Sequence, residues 1–76
     1  MAIMKSFYQF MMQFRGNKQL DNARKLADWM FYDHDFPKHA KDYDVISNYL
    51  EWHIPFSEAV ITFDQLWEQY IEEVKP

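Results

Sequence analysis

"TFDQLWEQYIEEVK", residues 62–75, carries Phe63, Leu66, Trp67, Tyr70, Ile71 and Val74 at steps of three and four. That spacing keeps the apolar side chains on one helical face, a period of 3.6 rather than 2. Glu68, Gln69, Glu72 and Glu73 take the outer side, where water solvates them. Thr62 and Gln65 have the capping-box form, which predicts a helix start at Thr62. Asp64 would then sit in the first turn and Lys75 at the end, both favourable to the helix dipole. Trp67, the bulkiest residue of the stripe, is expected at the centre of the core, where truncation to alanine would cost about 3–5 kcal/mol. A face of this kind needs partners, and the rest of the chain supplies them in the same form.

"SFYQFMMQFRG", residues 6–16, repeats the pattern. Ser6 and Gln9 form a second capping box, and Phe7, Phe10, Met11 and Phe14 line one face. Arg15 and then Gly16, the only glycine, predict an end with Gly16 as a left-handed residue past the last turn. Asp21 is an N-cap for a second helix with Ala23, Leu26, Ala27 and Met30 inward. Trp29 and Tyr32 lie off that stripe. Pro37 is expected to stop this helix, because the residue before a proline is pushed toward extended geometry. Asp42 or Asp44 caps a third helix with Tyr43, Ile46, Tyr49 and Leu50 inward, broken at Pro55. Ser57 starts a short turn through Val60. No segment alternates with period two for the length of a strand. The fold class is all-α: a compact bundle of four short helices, or five with the turn at 57–60.

Seventy-six residues hold one core and not two. A small domain needs a rich core, and a 49% hydrophobic, 20% aromatic chain provides it. One glycine and three prolines argue against disorder and against a turn-rich β-sandwich. The lack of cysteine excludes disulfides, thiolate chemistry and cysteine-based zinc sites, and fits a cytoplasmic location. No apolar run approaches the roughly 18 residues of a membrane span, and the N-terminus lacks a signal-peptide cleavage site.

"DHDFPKH", residues 33–39, invites a metal or acid–base reading. His34 and His39 are separated by a proline turn, so no helix sets them on one face, and Asp33, His34 and Asp35 point in different directions. The residues read instead as a helix end followed by a Phe–Pro corner, with Phe36 anchored in the core. The other carboxylates fall on caps and outer faces, away from a pocket that would shift their pKa. No nucleophile motif or phosphate loop is present. The expectation is a non-enzyme with no metal and no cofactor.

Charge is unevenly spread. The formal total is −4, but residues 1–41 hold seven Lys/Arg against four Asp, while residues 42–76 hold Lys75 against eight acids. Arg15, Lys18, Arg24 and Lys25 can converge on one edge of the first two helices, a candidate nucleic-acid surface. Tyr8 and Met12 share a face of the first helix away from its core stripe. With Trp29 and Tyr32 they form a candidate interaction patch.

Four blocks, "MKSFYQFMMQFRG" at 4–16, "DHDFPK" at 33–38, "DYDVISNYLE" at 42–51 and "TFDQLWEQYIEEVK" at 62–75, resemble the YozE-type family of small proteins from Gram-positive bacteria. They come in the family's order and spacing, nearly end to end. The resemblance implies a helical fold likened to the sterile alpha motif. Modules of that kind bind proteins, nucleic acid or each other. It carries over no catalytic or binding residue. Residues 4–76 are read as the one domain and 1–3 as an extension, since Met4 matches the usual start. "HIPFSEAVI" at 53–61 fits the family pattern least. The expected function is a protein-interaction module, monomeric or weakly self-associating through its oppositely charged halves, and away from membranes. The alternative is binding of nucleic acid, DNA foremost, through Arg15, Lys18, Arg24 and Lys25.

Overall fold

Ser6 opens the first helix as its signature requires. Its hydroxyl accepts the Gln9 amide at 3.2 Å, and its own amide donates to Gln9 Oε1 at 2.9 Å. The computed structural model describes residues 5–16, 18 and 21–74; the extension 1–3, Met4 and Lys75 lie outside them. Helix α1 spans Phe7–Met11 and tightens into a 3-10 turn over Met12–Gly16. Gln13 supports the tightening by donating to the Phe10 carbonyl at 3.0 Å, one of the acceptors a helix end leaves open. Gly16 departs from expectation: it belongs to the 3-10 turn, and its φ is not positive. A 3-10 exit meets the last carbonyls without a left-handed residue.

Helix α2, Asn22–Tyr32, is capped by the Asp21 carboxylate, which accepts the Arg24 amide at 2.9 Å. Leu26, Ala27 and Met30 are buried, with Ala23 packed beside them, as the spacing predicts. The helix stops at Tyr32, earlier than Pro37. Asp33 is already extended, with ψ 110°, while its amide still donates to the Trp29 carbonyl at 3.0 Å. Pro37 shapes the next turn, where its carbonyl accepts the Ala40 amide at 3.2 Å. Helix α3 runs Tyr43–His53, with Asp42 at the N-cap position but making no side-chain cap bond, and Asp44 in the first turn. Ile54 precedes Pro55 and leaves the helix.

Helix α4, Ala59–Val74, starts before the predicted cap. Thr62 is an interior residue: its side chain is buried and its amide donates to the Glu58 carbonyl at 2.9 Å. Ala59 lies one turn before Phe63 on the same inward face, so burial carries the helix back past the local capping signal. The expected short turn at 57–60 is thus not a separate element: Ser57 and Glu58 form a turn, and Ala59 and Val60 open α4. Asp64, no longer in the first turn, accepts the Tyr43 hydroxyl at 2.6 Å.

Helix α4 packs against each of the other three. Where they meet, Phe7 is fully buried among aromatic rings: Phe63 at 5.3 Å and Tyr70 at 5.5 Å edge-on, Trp67 at 5.4 Å and Phe10 at 5.9 Å. Trp67 therefore does not hold the centre as expected. It is half-buried at the rim, against Tyr43 and Tyr70, because it stands on the flank of the α4 face that buries Phe63, Leu66 and Tyr70. Residues 5–7 are also tied by their backbone. The Ser6 hydroxyl donates to the Lys38 carbonyl at 2.7 Å, the Phe7 amide to Ala40 at 3.3 Å, and the Tyr70 hydroxyl to the Lys5 carbonyl at 2.7 Å.

Phe7→Ala is expected to cost about 3–5 kcal/mol, near the whole stability of a domain this small. Trp67→Ala should cost less, since part of its ring already meets water. Urea unfolding of the two variants checks the order.

Candidate interaction surface

The 33–39 stretch folds into a bonded corner. Asp33 Oδ2 accepts the Tyr49 hydroxyl at 2.5 Å, and Asp33 Oδ1 accepts the Asp35 amide at 3.3 Å. The Asp33 carbonyl takes the Phe36 amide and Lys38 Nζ, each at 3.3 Å. Phe36 is buried, packed edge-on against Tyr49 at 5.5 Å and Trp29 at 6.1 Å, with Tyr8 at 6.2 Å. Burial, and then the bond to Asp33 and the nearby Asp35 charge, push the Tyr49 hydroxyl up to about 12. Among the described residues no three His, Asp or Glu side chains gather as a metal site would require.

The basic residues divide. Arg15 Nε donates to Asp28 Oδ1 at 3.0 Å, and its guanidinium lies 3.7 Å above the Phe31 ring and 5.4 Å from that of Tyr32. The bond to Asp28 raises the pKa of Arg15 above its ordinary value. Arg24 Nε lies 3.5 Å from Asp28 Oδ2, an ion pair without a well-formed hydrogen bond. One carboxylate thus stands between two of the cations. Lys18 is exposed. Lys25 turns instead toward the Phe56 ring, 6.0 Å away, in the loop before α4.

The aromatic candidates divide as well. Tyr8, Met12 and Trp29 are half-buried and packed against the core. Tyr32 is 70% exposed, edge-on to Phe31 at 5.1 Å. The largest exposed apolar side chain lies elsewhere: Trp52 on α3 is 85% exposed, followed along the chain by Ile54. Val45 shares its face and is also exposed. Val45, Tyr49 and Trp52 recur at steps of four and three, a second stripe beside the inward one. That spacing was present in the sequence, but the inward residues Ile46 and Leu50 account for the helix without it.

An open hollow of about 830 Å³ runs along α4, lined by Gln65, Trp67, Glu68, Gln69, Ile71, Glu72 and Glu73. All seven belong to one helix, and among the described residues no second element lines the hollow. No helix among the described residues is long and apolar enough to cross a membrane.

The sequence profile described as YozE SAM-like fold matches residues 6–72. This chain belongs to the YozE SAM-like family. Its relatives include the UPF0346 protein YozE of Bacillus subtilis, 41% identical over 93% of this chain and 96% of that protein. A UPF0346 protein of Geobacillus kaustophilus is 41% identical over 91% and 96% of the two chains. The UPF0346 protein YuiB of Lactococcus lactis is 43% identical over 88% and 97%. None of these names describes an enzymatic activity. No solved structure gives a significant match. Within the YozE SAM-like fold, the corner at 33–39 bonds α3 through Asp33 and Tyr49 and the N-cap of α1 through Lys38 and Ser6.

The corner makes a pH prediction. The Tyr49 hydroxyl has a folded pKa of about 12 against an ordinary value of 10.0. Its neutral form is the one the fold favours, so this stabilisation is full below the ordinary value and is lost as pH rises through the folded one. Tyr49→Phe should delete one late-titrating tyrosine from an ultraviolet titration. It should also flatten the fall in stability over that alkaline window.

Proposed function

We propose that this chain is a non-catalytic protein-interaction module whose partner docks on the outward face of α3, with Trp52 at the centre. One observation carries the reading: a tryptophan 85% exposed in a domain that otherwise builds its core from aromatic rings. An exposed large apolar side chain is informative where a scattered small one is not. Tryptophan is also among the side chains that dominate binding energy when buried in an interface. Val45, two turns earlier on the same face, is also exposed and extends the patch.

A photo-crosslinking residue at position 52, in a Gram-positive host, should yield a discrete heavier adduct. The same residue in place of Glu68, on α4, should yield none. Adducts of equal yield from both positions, or none from position 52, count against this surface.

A second reading places single-stranded nucleic acid on Phe31 and Tyr32. The observation in its favour is the Arg15 guanidinium over Phe31 beside the exposed Tyr32 ring, a cation next to surfaces on which bases stack. It stands second because Asp28 offsets both Arg15 and Arg24. An amide NMR titration with DNA near physiological ionic strength, where screening acts over about 8 Å, decides it. Shifts over residues 15–32 that vanish in Tyr32→Ala support stacking; flat spectra remove it.

A further inference from the structure

We infer that the segment docking on α3 is a basic amphipathic peptide, with apolar side chains over Val45 and Trp52 and lysines or arginines over carboxylates on both sides. This rests on the reading of α3 as the docking face and adds the charge of its partner.

Asp44 precedes Val45 and Glu51 precedes Trp52, and each step along a helix turns about 100°. The two acids therefore form an exposed row beside the apolar one, with exposed Asn48 between the rows. On the other flank stands the 33–39 corner. Tyr49 shares the apolar stripe, and its hydroxyl donates to Asp33 at 2.5 Å. Asp35, exposed, bonds through its amide to the same carboxylate. The apolar row thus lies between Asp44 and Glu51 on one side and Asp33 and Asp35 on the other. The cation of that corner, Lys38, holds its Nζ on the Asp33 carbonyl and 5.6 Å from the Tyr8 ring.

Such a surface sorts partners by sign. Two carboxylate rows attract a basic segment and repel an acidic one, and complementary charge acts mainly on encounter rate and specificity. The apolar row then holds what the charges steer in, as helix-in-groove and related modes do through spaced apolar anchors. A second copy of this chain is a poorer occupant. Its Arg15 and Arg24 already share Asp28, which leaves its basic edge partly spent.

Two labelled amphipathic peptides test the inference, one of leucine and lysine and one of leucine and glutamate, read by amide NMR near physiological ionic strength. The leucine–lysine peptide should shift amides of residues 33–36 and 44–54. Trp52→Ala should weaken it roughly tenfold or more. That variant keeps its fold, because the side chain lies almost wholly in solvent. The double variant Asp44→Lys, Glu51→Lys should lose the lysine peptide and gain the glutamate one. Equal shifts around Trp52 from both peptides overturn the basic partner while leaving α3 as a docking face. Silence around Trp52 with both peptides also overturns it, and the crosslink from position 52 then shows separately whether the docking face falls too.

Discussion

Everything in this domain depends on how the chain enters its first helix. Phe7 is the ring around which α4 is packed, and the backbone beside it is bonded in two directions. Ser6 and Phe7 donate to the carbonyls of Lys38 and Ala40, while Tyr70 donates to that of Lys5. Lys5 and Glu73 add an exposed ion pair at 2.6 Å, a contact of the kind that contributes little by itself. The polar bonds align the entry segment, and the burial of Phe7 supplies most of the free energy, since apolar area removed from water outweighs the net gain of a hydrogen bond. A short helix of this length would be marginal in isolation and is held by this packing.

The corner at 33–39 is the second half of the same device. It accepts the Ser6 hydroxyl on the Lys38 carbonyl and the Tyr49 hydroxyl on Asp33, so it joins α1 and α3 through groups that would otherwise be left unsatisfied. Phe36 fills the space beneath with Trp29 and Tyr49 around it. Residues that suggest chemistry by their types are engaged in holding the chain. Asp33 uses both carboxylate oxygens and its carbonyl within the corner, which is why its neighbours in sequence do not converge on a shared ligand position.

The proposed function rests on a surface. The aromatic side chains are so numerous that the core cannot take them all, and α3 carries the surplus outward at Trp52. The basic edge of α1 and α2 is moderated by Asp28, whereas beside the acids around α3 Lys38 is engaged by the Asp33 carbonyl. A family with a sterile-alpha-motif-like fold need not share a binding surface with other proteins of that architecture. The surface must be sought in the side chains, and the proposal made here places it on α3.

Much of the fold was legible along the chain. The capping box at Ser6, the cap at Asp21, the inward stripes of α1 and α2 and the buried Ile46 and Leu50 of α3 follow from local bonding and from a period of 3.6, which each segment carries within itself, whereas Tyr43, expected inward on α3, is exposed and Tyr49 is half-buried. The buried Phe36 also follows from the Phe–Pro pair. The start of α4, the conformation of Gly16 and the rank of Phe7 over Trp67 did not follow, because each is settled by what lies across the core. Ala59 is helical because its face is buried with that of Phe63. Trp67 sits at the rim because it stands on the flank of the α4 face that buries Phe63, Leu66 and Tyr70. The split of the basic residues, with Asp28 between Arg15 and Arg24 and Lys25 turned to Phe56, needs the distances between helices. So does the exposure of Trp52, since a stripe on a helix shows which residues travel together and not which side water will reach. Local sequence determines where a helix turns; only the packing of its neighbours determines which of its faces is left open.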